Sequence, residues 1–405
     1  MKGFFTSDKL QSKSHPTGKV TSCASCGLYK HVTSPRMEPY GAFRKGILNV
    51  GEAPGETEDK RGRQWQGKAG GRLERTYEDM GIDLFKDCLN INAVNCRPMT
   101  PDKSANRTPT SQEIACCQSR VLKVIAEHKP KLIVALGGPA MESLLSHRWK
   151  KDLGGIGRWR GWAIPDRDFG AWLCPTYHPS YIERSQGKEE ETIWTQDLKR
   201  LLKKVATPFP DWKDEKQYVK IISDLSPLRD LPNIVAIDYE TTGLKPHADG
   251  HRIVCASVAI SPHLVYSFMF PENETDKRIF IKLLRNPQVG KIAHNIKFEE
   301  AWSVNRVGCS VKNWQWDTML ATHLLDNRTA VTGLKFQVYV NFGVPDYDSE
   351  VESYLKARDN SGNSFNKIQT LLDKPGGREK ILTYCGLDSL YSLKLAFKQM
   401  EVVRK

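Results

Sequence analysis

Asp238 and Glu240 close the apolar run of Ile234-Val-Ala-Ile-Asp-Tyr-Glu-Thr-Thr-Gly-Leu244. Residues two apart on a strand point to one side, so the pair offers hard oxygen ligands to a single pocket, and a divalent cation is the natural guest. Two solvated acids at a strand end are the plainer reading of an isolated Asp-x-Glu. This pair is not isolated. Lys291-Ile-Ala-His-Asn-Ile-Lys-Phe-Glu299 leads from apolar residues into Asn295 and a further carboxylate, and Tyr384-Cys-Gly-Leu-Asp388 sets a phenol and a carboxylate four apart, on one face of a helix. Such carboxylates suit hydrolysis of a phosphodiester, which needs a hydroxide-like nucleophile and neutralised charge on the attacking and leaving oxygens. Asn295 and Lys297 either contact the strand being cut or are ordinary residues of a helix start.

A second set of reactive residues lies upstream. Cys23-Ala-Ser-Cys26, with Cys96 and the adjacent Cys116 and Cys117, suits a four-thiolate site holding an iron-sulfur cluster or zinc, and spacing does not choose between them. Scattered buried cysteines are the competing reading, and ten cysteines leave room for both.

Positioning these groups requires apolar strands, and the chain supplies them at Val50, Ile133 to Leu136 and Ile234 to Ile237, alternating with helical patterns. That alternation predicts two α/β domains, as does a length of 405 residues carrying two motif sets that do not interleave. The seam is expected near Pro208-Phe-Pro-Asp-Trp-Lys-Asp-Glu-Lys216, between a basic helix over 195–205 and a strand at Tyr218-Val-Lys-Ile-Ile222. Gly157-Arg-Trp-Arg-Gly-Trp162 interleaves basic and aromatic residues and either contacts DNA or is a strand and turn. Residues 1–20 are polar and Lys-rich, and are expected to be mobile. A net charge of +13 favours a polyanionic partner. No apolar run is long enough for a membrane helix, so no membrane partner is expected. No secretory amino terminus is evident, so thiol ligation in a reducing cytoplasm is expected over disulfides.

The three acidic segments, with Trp316-Asp-Thr-Met-Leu320 and Gly333-Leu-Lys335 between the second and third, resemble the proofreading domain of family A DNA polymerases. That domain belongs to the DnaQ-like, RNase H-like 3'-5' exonucleases. The resemblance implies that Asp238, Glu240 and Asp388 hold two divalent ions, Mg2+ or Mn2+, and that Tyr384 orients the attacking water. Glu299 stands where the family commonly has Asp, keeping the charge on a longer arm.

Upstream, Asn49-Val-Gly-Glu-Ala-Pro-Gly55, Glu58-Asp59, Gly62-Arg-Gln-Trp-Gln-Gly-Lys-Ala-Gly70, Asn92-Ala-Val-Asn-Cys-Arg-Pro98, Asn106-Arg-Thr-Pro109, Glu113, Pro130-Lys-Leu-Ile-Val-Ala-Leu-Gly137 and Pro175-Thr-Tyr-His-Pro-Ser-Tyr181 follow one another. This ordered set resembles the family 4 iron-sulfur uracil-DNA glycosylases. The family's [4Fe-4S] ligands fall on Cys23, Cys26, Cys96 and Cys117, the last preferred to Cys116 because it lies four after Glu113; only the resemblance favours iron over zinc. The family's uracil pocket falls on Gly51 and Glu52, an aromatic platform at Trp65 where Phe is usual, Asn92 at the base edge, and His178 near the scissile bond. Such chemistry flips a base into a pocket and stabilises negative charge on the departing base.

The fold expected is α/β: a uracil-DNA-glycosylase-like α/β/α sandwich over residues 1–207, then an RNase H-like (DnaQ-like) exonuclease domain over 216–405. The function expected is DNA repair and replication: metal-dependent 3'-5' exonuclease (proofreading) activity joined to uracil excision. The arrangement resembles the amino-terminal portion of certain bacteriophage family A polymerases. The implied partner is DNA, with the chain either acting beside a separate DNA polymerase subunit or being a fragment of a longer polymerase, in the cytoplasm of a bacterial or phage-infected cell. The competing reading is an exonuclease whose glycosylase-like domain binds uracil or a modified pyrimidine without excising it.

Overall fold

The computed structural model describes residues 22–149, 151–185, 187–357 and 363–404. The polar amino-terminal stretch expected to be mobile lies outside the described residues. The chain forms two compact units, one of Met1–Asp211 with Tyr339–Pro345, the other of Trp212–Val338 with Asp346–Lys405.

In the first unit, strands β1 (Ile47–Gly51), β2 (Cys88–Asn92), β3 (Leu132–Leu136), β4 (Ile164–Asp166) and β5 (Ala171–Thr176) form one sheet in the order β2-β1-β3-β5-β4. All pairings are parallel except β4 with β5. Every residue of these strands is buried, the pattern of a sheet covered on both faces, although only β3 (Leu-Ile-Val-Ala-Leu) is apolar throughout. From β1 the chain crosses to β2 on one side, and β3 then pairs on the other. The carboxyl end of β1 is therefore a topological switch point, where an open parallel sheet leaves a crevice.

Two buried amides in this core are paid for by partners. Asn49 donates to Asn90 Oδ1 at 2.9 Å and accepts from the Tyr77 hydroxyl at 2.8 Å, while Asn90 donates to the carbonyls of Leu84 and Tyr40. The predicted helix over 195–205 begins earlier, spanning Lys188–Leu202, with Glu189, Glu190 and Glu191 in the first turn, where the helix dipole favours acids. The segment read as strand and turn is instead a helical turn, Ile156–Trp159. Trp159 is buried there, its indole donating to the Leu153 carbonyl and its ring packing edge-on against Trp149.

In the second unit, β6 (Val219–Ile221), β7 (Ile234–Thr241), β8 (Ile253–Ser261), β9 (Leu264–Met269), β10 (Gly290–Ala293) and β11 (Trp314–Asp317) form a mixed sheet ordered β11-β10-β7-β8-β9-β6. β7 to β9 are an antiparallel meander, and β10 lies parallel to β7. The helix Gly377–Val403 packs across this meander. Its close seating has identifiable causes. Ser257 Oγ donates to the Cys385 carbonyl and Ser267 Oγ to the Leu382 carbonyl, both at 2.7 Å. A Cβ on Gly386 would come within 2.5 Å of Val219 Cγ1, so only glycine lets the helix lie this near the sheet. Among the described residues, no helix is long and apolar enough to cross a membrane.

Candidate active sites

The first unit carries a cavity of 540 Å³ lined by Glu52, Trp65, Asn92, His178 and Arg184 among others. Glu52 follows β1, Asn92 ends β2 and His178 lies two residues beyond β5, so three carboxyl strand ends meet there. Gly51 is required: a Cβ would lie 2.5 Å from Asn92 Oδ1 and 2.9 Å from Trp65 Cζ2. Trp65 is both cavity wall and core. It is 7% exposed, its Nε1 donates to Asn90 Oδ1 at 3.0 Å, and its ring centroid is 5.5 Å from that of His178 at a 32° tilt.

Sequence reasoning quoted Glu58 without a role, and the structure gives it one. Its carboxylate accepts from the backbone N–H groups of Gly55, Gln66 and Gly67 at 2.7–3.1 Å, pinning the loop after β1 to the loop that carries Trp65. Asn95 acts alike on the backbone of Asn92, donating to its carbonyl at 2.9 Å.

Electrostatics set the states of the two titratable groups. Burial raises the Glu52 carboxyl above its usual range, partly offset by Arg184. Burial, assisted by Arg184, lowers His178 to about 4. At pH 7 that leaves about one imidazole in a thousand protonated, so His178 is a neutral donor and not a cation. The tautomer follows from its neighbours. Nδ1 lies 2.7 Å from Ser180 Oγ and 3.2 Å from the Ser180 backbone nitrogen, and with that N–H donating to it the ring proton is on Nε2.

The cysteines gather apart from this cavity. A Ser22–Ser25 capping box starts the short helix Cys23–Cys26, while Cys117 is buried on the helix Ser111–His128. Arg36 joins them: its Nε donates to Cys23 Sγ and its backbone N–H to Cys96 Sγ, both at 3.2 Å. Burial, with the nearby Cys26, Cys96 and Cys23, pushes the Cys117 thiol up to about 12. Cys116 is close as well, 3.5 Å from Ser25 Oγ. Among the described residues, no three cysteine sulfurs lie within 4.8 Å of one another. These donors fit a metal-sulfur group that holds segments distant in sequence.

In the second unit, Asp238, Glu240 and Asp388 bring carboxylate oxygens within 4.8 Å of one another. Strand alternation sets the first two on the face of β7 that meets the helix Gly377–Val403, and helical spacing places Tyr384 beside Asp388. Burial and mutual repulsion hold Asp238 and Glu240 well above the usual carboxylate range. Two like charges 4 Å apart repel by about 4 kcal/mol at an effective dielectric of 20, so this cluster cannot be fully ionised without a counter-charge. Glu299, on the helix Ile296–Trp302, lies outside the 4.8 Å group, yet Asp238 helps to raise its carboxyl after burial does. Its Oε2 is buried with no hydrogen-bond partner. A buried carboxylate oxygen without a partner, on a side chain that feels the charge of Asp238 and Asp388, fits cation binding.

The remaining motif residues divide by task. Asp317 is architectural: its oxygens accept from the N–H groups of Asn295, Ile296, Met319 and Leu320, capping two helices. Asn295 has φ 77° and donates its backbone N–H to Asp317 Oδ1 at 3.1 Å. Lys297 is exposed. Sequence reasoning missed Lys335 and Tyr347, both of which donate to Asp388 Oδ1 at 2.5 Å. Lys335 was visible inside Gly333-Leu-Lys335, but Tyr347 had no local signal.

Residues 38–201 match the family model of the uracil DNA glycosylase superfamily, and residues 212–403 that of the 3'-5' exonuclease domain of family A polymerases. The type-4 uracil-DNA glycosylase of Thermotoga maritima is 35% identical over 182 residues, which are 45% of this chain and 88% of that protein. The enzyme of the same name from Pyrobaculum aerophilum is 32% identical over 41% of this chain and 81% of its own. A DNA polymerase of Bacillus phage SP01 is 24% identical over 327 residues, 72% of this chain but 34% of the polymerase. The chain thus belongs, through its first unit, to the uracil-DNA glycosylase superfamily with type-4 relatives, and carries in its second a DnaQ-like 3'-5' exonuclease domain.

Proposed function

We propose that the chain excises uracil from DNA with its first unit and shortens DNA from the 3' end with its second. The observation that carries this reading is the convergence of Asp238, Glu240 and Asp388 within 4.8 Å beside the orphaned Glu299 oxygen, together with one cavity shared by Glu52, Asn92 and His178.

In the first site, a flipped base enters the cavity and stacks on Trp65 while Asn92 reads its edge. His178 donates from Nε2 to the base oxygen on which negative charge grows, and the Gly51 turn adds backbone N–H groups. Glu52 stabilises the sugar cation or positions water. Arg184 at the cavity wall neutralises a flanking phosphate. A neutral, hydrogen-bonding His178 beside Glu52 equips the site for excision, not for binding alone.

Cys23, Cys26, Cys96 and Cys117 hold a [4Fe-4S] cluster in a structural role. The type-4 relatives support iron over zinc, and Arg36 donates to two of the cysteine ligands, Cys23 and Cys96.

In the second site, Asp238, Glu240 and Asp388 hold two divalent cations, Mg2+ or Mn2+, with Glu299 serving the second. When bound, the cations supply the activated water and neutralise charge on the attacking and leaving oxygens. Tyr384 orients the attacking water, and the sheet-bound helix fixes both Tyr384 and Asp388. The phage polymerase relative supports a place in replication or repair beside a DNA polymerase, in the cytoplasm of a bacterial or phage-infected cell.

The test is one assay: a 3'-recessed duplex with a single internal uracil, incubated with Mg2+ or with EDTA. Uracil release in both, with 3' shortening only in Mg2+, is the expected result. Shortening without release would leave a glycosylase-like binding module.

A further inference from the structure

Lys335 has no task in the mechanism above, yet it occupies the centre of the second site. Its Nζ lies 2.5 Å from Asp388 Oδ1 and 4.0 and 4.2 Å from the ring centroids of Tyr347 and Tyr384. The Tyr347 hydroxyl donates to the same Oδ1. Lysine and carboxylate are both largely withdrawn from water, with side chains 19% and 9% exposed. Two aromatic faces therefore cradle an ammonium against an oxygen of the metal-ligating cluster. Among the described residues, this basic side chain also acts electrostatically on Asp238 and Glu240. The attachment is reversible by construction, because lysine carries a compact charge on a flexible four-carbon stem that can withdraw without moving the backbone. A lysine that served packing alone would have no reason to take a cluster oxygen.

We propose that Lys335 is a resident counter-ion of the carboxylate cluster, holding Asp388 in the absence of divalent cation and surrendering Oδ1 when one binds. This rests on the two-cation reading of the site. Competition between two positive species for one oxygen is reciprocal: whatever the metal must overcome to displace the ammonium lowers its affinity by that amount. Removing the charge while keeping the stem must then tighten metal binding, an outcome that simple damage to the site cannot produce. Arginine must do the opposite, since its planar fork grips a carboxylate with two donors.

The experiment is Mn2+ titration of the full chain, followed by the loss of free-Mn2+ paramagnetic resonance, for wild type, Lys335→Met, Lys335→Arg and Asp238→Ala. Sites lost in Asp238→Ala report the carboxylate cluster. Relative to wild type, Lys335→Met is expected to bind Mn2+ about tenfold tighter at those sites, and Lys335→Arg more weakly. The melting temperature of Lys335→Met should fall in EDTA and gain more from Mn2+ than that of wild type. Equal or weaker binding by Lys335→Met, with wild type binding normally, overturns the counter-ion and leaves the metal site standing. Should Lys335→Met not fold, tighter binding by Lys335→Arg overturns it equally. No difference between wild type and Asp238→Ala removes the two-cation reading and this proposal with it.

Discussion

The two units place their chemistry differently, one at strand ends and one between a sheet face and a helix, and solve opposite charge problems there. In the first, Glu52, Asn92 and His178 stand at carboxyl ends of parallel strands around a cavity, and burial drives both titratable groups toward neutrality. In the excision proposed above, a departing base carries negative charge, so a neutral N–H donor would be the useful form of His178, and a low local dielectric would strengthen its hydrogen bond. In the second, burial acts on a cluster of acids that share one space and repel one another. Burial tunes the first site and leaves the second with unbalanced charge, which a cation must relieve. Burial thus makes a donor site or a cation site according to which side chains are collected.

The largest expected effect separates the two units outright. Asp238→Ala should lower 3' shortening by on the order of 10⁴-fold, as loss of a central catalytic group does elsewhere, and leave uracil release unchanged. Parallel gel assays for both activities check this, and loss of both together would break the comparison. Cys96→Ser makes the reciprocal cut. It should abolish visible charge-transfer absorbance, lower the melting temperature of the first unit by about 5 °C or more, and spare the exonuclease. A wild type prepared without oxygen that is colourless would replace the cluster with zinc.

Glu52→Gln should slow uracil release by about 10²-fold. The pH profile sharpens the point. The Glu52 carboxyl is raised, so if its ionised form is required, release falls as pH drops through a value above the ordinary carboxylate range. His178, lowered to about 4, stays neutral above that value and adds no limb between about pH 5 and 8. Persistence of the acid limb in Glu52→Gln would assign it to another group. The smallest effect belongs to Trp65→Phe, which removes the indole bond to Asn90 and widens the cavity. It should destabilise the first unit by about 1 kcal/mol and shift discrimination between uracil and larger pyrimidines by about tenfold or less, measured as ratios of kcat/KM.

Legibility followed the range of the interaction. Asp238 with Glu240, and Tyr384 with Asp388, were legible because strand and helix periodicities fix which neighbours share a face. The motif Trp316-Asp-Thr-Met-Leu320 was legible as a pattern but not as a task, since nothing local shows that Asp317 caps a second helix whose first residue is Ile296. The helical turn Ile156–Trp159 was misread, and the contacts of its buried Trp159 with Leu153 and Trp149 are ones that no local signal shows.

By itself, then, the sequence determined the two α/β units, the order of their motifs and the groups each strand or helix would present, because those depend on backbone geometry and local spacing. Only the tertiary structure decided the neutral tautomer of His178, the double role of Trp65 as wall and core, the orphaned oxygen of Glu299, and the meeting of Lys335 and Tyr347 on one oxygen of Asp388. Those depend on burial and on charges brought together from distant segments, and Coulomb energy and desolvation are properties of the assembled site.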